Sequence, residues 1–291
     1  MKSQNLKWVY LFILSLIWGS SFILIKKSLL GLTPMQLGVL RNLITSLILL
    51  ALGFRGLKSV TLNEWKWLAL SGLVGSFIPA FLFAIAETEI DSAVTSVLNS
   101  LVPMHTFWLG LAFFNIPSSK RQFLGLVIGF IGSCILMLNG ADLNPSQNYW
   151  YAGFILLSGL MYGLNVNIIK RYLHNVKPLT IAAGNYTVIF FPAIIMLFFV
   201  DFFSEKTFRN PEFKMSMVYI ATLSFFGTAM AKIMFNKLVK ISTPVFTSSV
   251  TYVMPIVALM WGFLDGERFS LVQAGASFVI LLGVFLVHRR Q

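Results

Sequence analysis

Charge is scarce in this 291-residue chain: 11% of its residues are Asp, Glu, Lys or Arg, while 57% are apolar. A soluble domain carries about 25% charged residues, so water could not cover a globule of this composition. Cysteine is scarcer still, and Cys134 alone excludes a disulfide framework. The sequence has no GxxxxGK[ST] loop, which removes a nucleotide-driven motor from this chain. It has no HExxH, no CxxC and no histidine cluster, so no metal and no cofactor is expected. No GxSxG elbow supports a serine nucleophile, and an enzyme is not expected. Alternating segments of about 10 residues, the mark of an outer-membrane barrel, are also missing.

What the chain has instead is long apolar runs. Ten are visible, at about 8–25, 34–54, 67–86, 92–114, 121–139, 149–169, 179–201, 215–237, 244–264 and 271–288. Each approaches the ~20 residues that cross a hydrocarbon core as a helix, and helices satisfy their own backbone groups in lipid. The expected fold is an all-α polytopic membrane protein of ten transmembrane helices. The first run is read as a retained helix, because Lys26 and Lys27 follow it instead of a small-x-small cleavage site.

The net charge of +12 follows from topology and requires no nucleic-acid partner. With the N-terminus inside and the runs alternating, fourteen of the 22 basic residues fall on the inner side. That excess predicts a multi-pass inner-membrane protein with both termini cytoplasmic.

The runs repeat. Trp18-Gly19 matches Tyr162-Gly163, Lys26-Lys27 matches Lys170-Arg171 and Pro34 matches Pro178, all 144 positions apart; Pro103 and Pro255 are 152 apart. The expected units are 1–140 and 149–291, five runs each, joined near 139–148. Five is odd, so the second unit would enter the membrane in the opposite sense. Inverted repeats around a central, midplane cavity are a recurrent transporter architecture.

Trp18-Gly19-Ser20-Ser21-Phe22, Arg41 in the second run and the proline runs at Pro103 and Pro255 resemble the EamA-like family of the drug/metabolite transporter superfamily over nearly the whole chain. The resemblance implies two five-helix units around a cavity built mainly from spans one, three, four, six, eight and nine. It implies secondary transport, often export, of amino acids, metabolites or drugs. The second unit departs from the pattern: Met161-Tyr162-Gly163-Leu164-Asn165 replaces Trp-Gly-Ser-Ser, and Asn185 stands where Arg41 does.

Charged side chains inside a span are costly and mark function or internal pairing. Arg41 reads as an anion contact for a carboxylate or phosphate, or as a structural partner of carbonyls. Lys232 and Asn236, four apart on one helix face, read as a substrate pair or as a snorkelling lysine with its neighbour. Their repeat-mates are Ala80 and Ala84. Pro103 and Pro255 each free the carbonyl four residues back, those of Asn99 and Thr251, so these two prolines are expected to kink a cavity wall or a packing contact. Asn165, three after Tyr162, is favoured over Asn167 as a cavity residue. Tyr252 and Trp18 are candidate aromatic walls. Glu87 and His105 are the candidates for proton coupling. Gly125, Gly129, Gly132, Gly275 and Gly283 read as helix contacts, making the fifth helix of each unit a scaffold or a homo-oligomer surface.

The predicted function is therefore a secondary transporter, an exporter of small molecules working by alternating access in a lipid bilayer. Arg41, Asn99, Asn165, Lys232, Asn236, Thr251 and Tyr252 are its expected substrate contacts. The alternative is a membrane enzyme or lipid-flipping protein with a groove between the halves.

Overall fold

A computed structural model describes residues 3–90, 92–117, 119–140, 148–264 and 271–288. Asp91, Arg268 and most of the expected linker lie outside them. Among the described residues there is no strand. The first half runs α1 (Ser3–Gly19), α2 (Ser21–Ser28), α3 (Pro34–Leu57), α4 (Leu62–Gly72), α5 (Ile78–Ala86), α6 (Ser92–Asn99), α7 (Val102–Phe113) and α8 (Lys120–Gly140). The second half runs α9 (Ala152–Tyr172), α10 (Pro178–Leu197), α11 (Glu205–Arg209), α12 (Phe213–Thr222), α13 (Ala231–Ile241), α14 (Pro244–Ser248), α15 (Val250–Leu264) and α16 (Leu271–His288). Six continuous stretches are long and apolar enough to cross a bilayer: Asn5–Ser28, Pro34–Leu57, Leu62–Ala86, Ala152–Tyr172, Pro178–Leu197 and Phe213–Ile241.

Local chemistry sets the helix ends. Thr33 and Thr61 each accept from the backbone N–H three residues on, while Gln36 and Glu64 reach back to them, two reciprocal capping boxes. Pro34, Pro178 and Pro244 open their helices where no N–H is needed.

Two of the long stretches are wound too widely at matching places. A π-helical segment, Leu73–Phe77, separates α4 from α5, and a second, Leu223–Met230, separates α12 from α13. Gly75 and Gly227, one in each segment, are 152 positions apart, the same offset as the two prolines. Segments of this kind displace carbonyls from the i→i−4 ladder and cluster at functional sites.

The fourth run of each half, expected as one span, is instead two helices. The first breaks at Ser100–Leu101, directly before Pro103, as the missing N–H predicts. The second breaks at Ser249, whereas Pro255 lies six residues further on, inside α15.

The halves interlock by exchange. Helices α1 and α9, the first of each half, pack on the third and fourth runs of the opposite half, α1 on α13 and α15, α9 on α5, α6 and α7. The second helices, α3 and α10, pack together, as do the fifth, α8 and α16. Both like-with-like contacts rely on small residues: Gly53 lies against Ala183 and Gly56 against Thr180, while Gly125 and Gly129 face Gly283. Outward positions such as Phe12, Leu52 and Phe191 are apolar and exposed, a surface suited to lipid.

One end of the bundle has a buried apolar interior. Leu11, Leu14, Leu173, Val176, Leu238, Val239, Val245 and Phe246 belong to one buried apolar cluster there. At its edge Lys170, on the last turn of α9, donates to Ser242 O at 2.7 Å, Val239 O at 3.0 Å and Lys240 O at 3.4 Å. These are the orphan carbonyls at and just beyond the C-terminus of α13, where a cation is favoured.

Candidate functional site

A cavity of about 120 Å³ lies at the centre, and residues from both halves line it. The first half supplies Trp18, Ser21, Phe22 and Ile25 from α1 and α2, Arg41 from α3, Gly75, Ser76, Ala80 and Phe83 from the third run, and Asn99 and Val102 from the fourth. The second supplies Tyr162, Asn165 and Val166 from α9, Tyr186 from α10, Gly227, Thr228, Lys232 and Phe235 from the eighth run, and Ser248, Val250, Thr251 and Met254 from the ninth. The wall mixes six aromatic side chains with aliphatic ones and nine polar or charged ones, a combination suited to a small molecule with a polar head.

The two π segments face each other across this space, and each is tied from the opposite half. Lys232 Nζ donates to Gly75 O at 2.6 Å, and Trp18 Nε1 donates to Gly227 O at 2.9 Å. The acceptors are repeat-mates and the donors are not, but each bond carries the glycine carbonyl of one segment to a side chain of the other half. Arg41 Nε donates to Thr228 Oγ1 at 2.9 Å, one residue along the second segment. The cations are thus anchored on backbone and hydroxyl oxygens rather than on carboxylates. Among the described residues the one salt bridge, Arg209 with Glu205, is exposed on α11.

Of the residues expected to contact substrate, Arg41, Asn99, Asn165, Lys232 and Thr251 line the cavity. Asn165 Oδ1 accepts from Ser71 Oγ at 2.6 Å, and Ser71 shares a 3.1 Å bond with Asn185, a buried chain that fixes the Asn165 amide beside Gly75. Asn167 faces the other way and donates to Thr106 O and Gly163 O. Asn99 is buried, and its Oδ1 has no donor.

Two expected contacts lie elsewhere. Tyr252 is fully buried, but its hydroxyl donates to Leu126 O of α8 at 2.8 Å and its ring lies against Gly129. On α15, Val250, Thr251 and Met254 line the cavity, while Tyr252, about 100° round the helix from Thr251, turns to α8. Asn236 is one turn past Lys232, outside the lining although Phe235 belongs to it, and donates to Pro178 O at 3.2 Å. The coupling candidates are also outside the lining. His105 sits on α7 against Gly159 and Gly163 of α9, and Glu87 ends α5. Pro103 and Pro255 shape the run but do not line the space.

Sequence reasoning missed Gly75, Ser76, Gly227, Thr228 and Tyr186. The first four form two matched pairs at the offset of 152, a signal that was present in the repeat. Tyr186 follows Asn185, the repeat-mate of Arg41, and carried no independent mark.

Comparison with known proteins agrees with this layout. The profile of the EamA-like transporter family matches twice, over residues 6–138 and 149–289. The "Uncharacterized inner membrane transporter YedA" of Escherichia coli (strain K12) is 28% identical over 286 residues, covering 95% of this chain and 89% of that protein. An "Uncharacterized transporter" of Archaeoglobus fulgidus is 23% identical, with 98% of this chain and 99% of that one covered. A protein crystal structure superposes with a TM-score of 0.71 at 14% identity over 96% of this chain and 94% of that one, a likeness of fold.

Proposed function

The chain belongs to the EamA-like transporter family, and from that membership we propose that it is a secondary transporter of the inner membrane that exports small metabolites, amino acids or drugs by alternating access. In this reading ten helices cross the bilayer as two inverted five-helix units, about 1–140 and 149–291, with both termini cytoplasmic.

The observation that supports the reading is a central cavity walled by both halves, whose helices exchange partners across the repeat. Rocking one half against the other then changes which end is packed while the cavity persists. In this reading the end that carries Lys170 faces the cytoplasm, the side on which basic residues are in excess. A cavity of about 120 Å³ suits a small molecule and cannot enclose a whole lipid. A catalytic or lipid-flipping groove draws no support from His105, whose ring packs against α9 rather than in the cavity.

The test is a metabolite panel read by thermal stabilisation of the purified protein, followed by flux of the hits in reconstituted vesicles. A ligand at a hundredfold excess over its Kd adds about 2.7 kcal/mol of apparent stability. Stabilising compounds that cross vesicle membranes only when the protein is present support the reading. Stabilising compounds that never cross would refute transport.

A further inference from the structure

The cavity has an unbalanced charge. Arg41 and Lys232 line it, and among the described residues no Asp or Glu does. Arg41 commits one donor to Thr228, and Lys232 commits one to Gly75 O. A guanidinium has five N–H groups and an ammonium three, so most of their donor capacity remains for a ligand. Asn99 adds the complementary need: it is 4% exposed, and its Oδ1 lacks a donor. Such an acceptor is costly unless a ligand supplies an N–H or O–H.

Resting on the transport reading above, we propose that the cargo is an organic anion and that the carrier exchanges one anion for another. A carboxylate or phosphoryl group sits between Arg41 and Lys232, and an N–H or O–H on the cargo body reaches Asn99 Oδ1. Exchange follows from the same charges. Alternating access requires the cavity to close on both sides before it reopens. Closing over two cations with no counter-charge removes them from water with only their bonds to Thr228 and Gly75 to offset the loss, whereas closing over a bound anion compensates them. The loaded carrier turns over, and the empty one is held back.

A set of matched probes tests the charge: 3-phenylpropionate, phenyl phosphate, L-phenylalanine and 3-phenylpropylamine. Thermal stabilisation by the anions and by L-phenylalanine, with none by the amine, is the expected result. The carboxylate and phosphate arms decide which anionic head is preferred. L-Phenylalanine should bind about tenfold more tightly than 3-phenylpropionate because its ammonium reaches Asn99, and Asn99→Ala should erase that difference. Lys232→Gln, which keeps an N–H for Gly75 O, should weaken anion binding about 30-fold or more.

Vesicle uptake of phenyl phosphate tests exchange. Uptake should be about tenfold faster or more into vesicles preloaded with phenyl phosphate than into vesicles loaded with sucrose. The double substitution Arg41→Gln with Lys232→Gln should abolish that dependence on internal anion, while Arg41→Lys, which keeps the charge, should preserve it. A merely structural role for the two cations would lower uptake in both vesicle types alike. Stabilisation by the amine as strong as by the anions overturns the proposal but leaves transport standing if the amine crosses. Uptake that ignores internal anion and follows a pH gradient overturns exchange. Anion binding without flux of any probe refutes the transport reading on which exchange depends.

Discussion

Replacing Lys170 with methionine should open the packed end of the bundle. Lys170 Nζ reaches three carbonyls, at 2.7, 3.0 and 3.4 Å; the longest is weak, so two bonds carry the effect. Hydrogen bonds to a charged group contribute about 1.5–3 kcal/mol when enclosed. Lys170 is only half-buried, and about 1 kcal/mol each is the better figure after solvent screening. The cation at the end of α13 adds about 0.3–1 kcal/mol through the helix dipole. The loss is then about 2–3 kcal/mol, and at about 1.4 kcal/mol per factor of ten it shifts the closed-to-open equilibrium about 30- to 100-fold. The readout is labelling of Ser248→Cys, in the cavity wall, in a Cys134→Ala background, by a membrane-impermeant maleimide added from the Lys170 side. The labelling rate should rise by about that factor in Lys170→Met, and Lys170→Arg should restore most of the closure. An unchanged rate in a folded Lys170→Met protein would show that the apolar cluster alone holds this end, and the reasoning would fail.

Three further outcomes follow from the packing. Gly283→Leu should destabilise the protein by about 1–3 kcal/mol through overpacking, because a Cβ there would lie 2.5 Å from the backbone of Gly129; a thermal melt in detergent reads it. Tyr252→Phe should cost about 1 kcal/mol of stability by removing the 2.8 Å bond to Leu126 O, with cargo affinity unchanged in the same titration that ranks Lys232 variants. Trp18→Phe should leave Gly227 O without its 2.9 Å partner, and amide exchange in 223–230 should accelerate, reflecting a loss of about 1–3 kcal/mol.

Much of this could be read from residue order alone, because membrane helices declare themselves by length and the repeat by offset. Arg41 and Lys232 stood out for a thermodynamic reason: a charge within an apolar run has to be accommodated by the protein interior. Asn165 could be separated from Asn167 because 100° per residue forbids both from sharing a face. Thr251 and Tyr252 are only about 100° apart, so the rule does not separate them, and nothing in the sequence says that Tyr252 turns away. That choice is made by Leu126 and Gly129 of α8, more than a hundred residues earlier in the chain. The break at Ser249 was also invisible, since Pro255 marks where a hydrogen bond is lost and not where the helix relaxes. Asn236 looked like the partner of Lys232 by spacing, but its amide is spent on Pro178 O, outside a wall that Phe235 still lines.

The wide turns at Leu73–Phe77 and Leu223–Met230 have a consequence for phase. A residue wound into a π turn beyond the α count changes the bearing of everything after it by about 100°. Without the second segment, Lys232 would point away from Gly75, and Thr228 away from Arg41. Without the first, Ala80 and Phe83 would leave the wall. Deleting one residue from either segment is thus equivalent to rotating half a helix while every downstream side chain stays intact. The polar inventory of the cavity is set as much by those two surplus residues as by the identities of the side chains they aim.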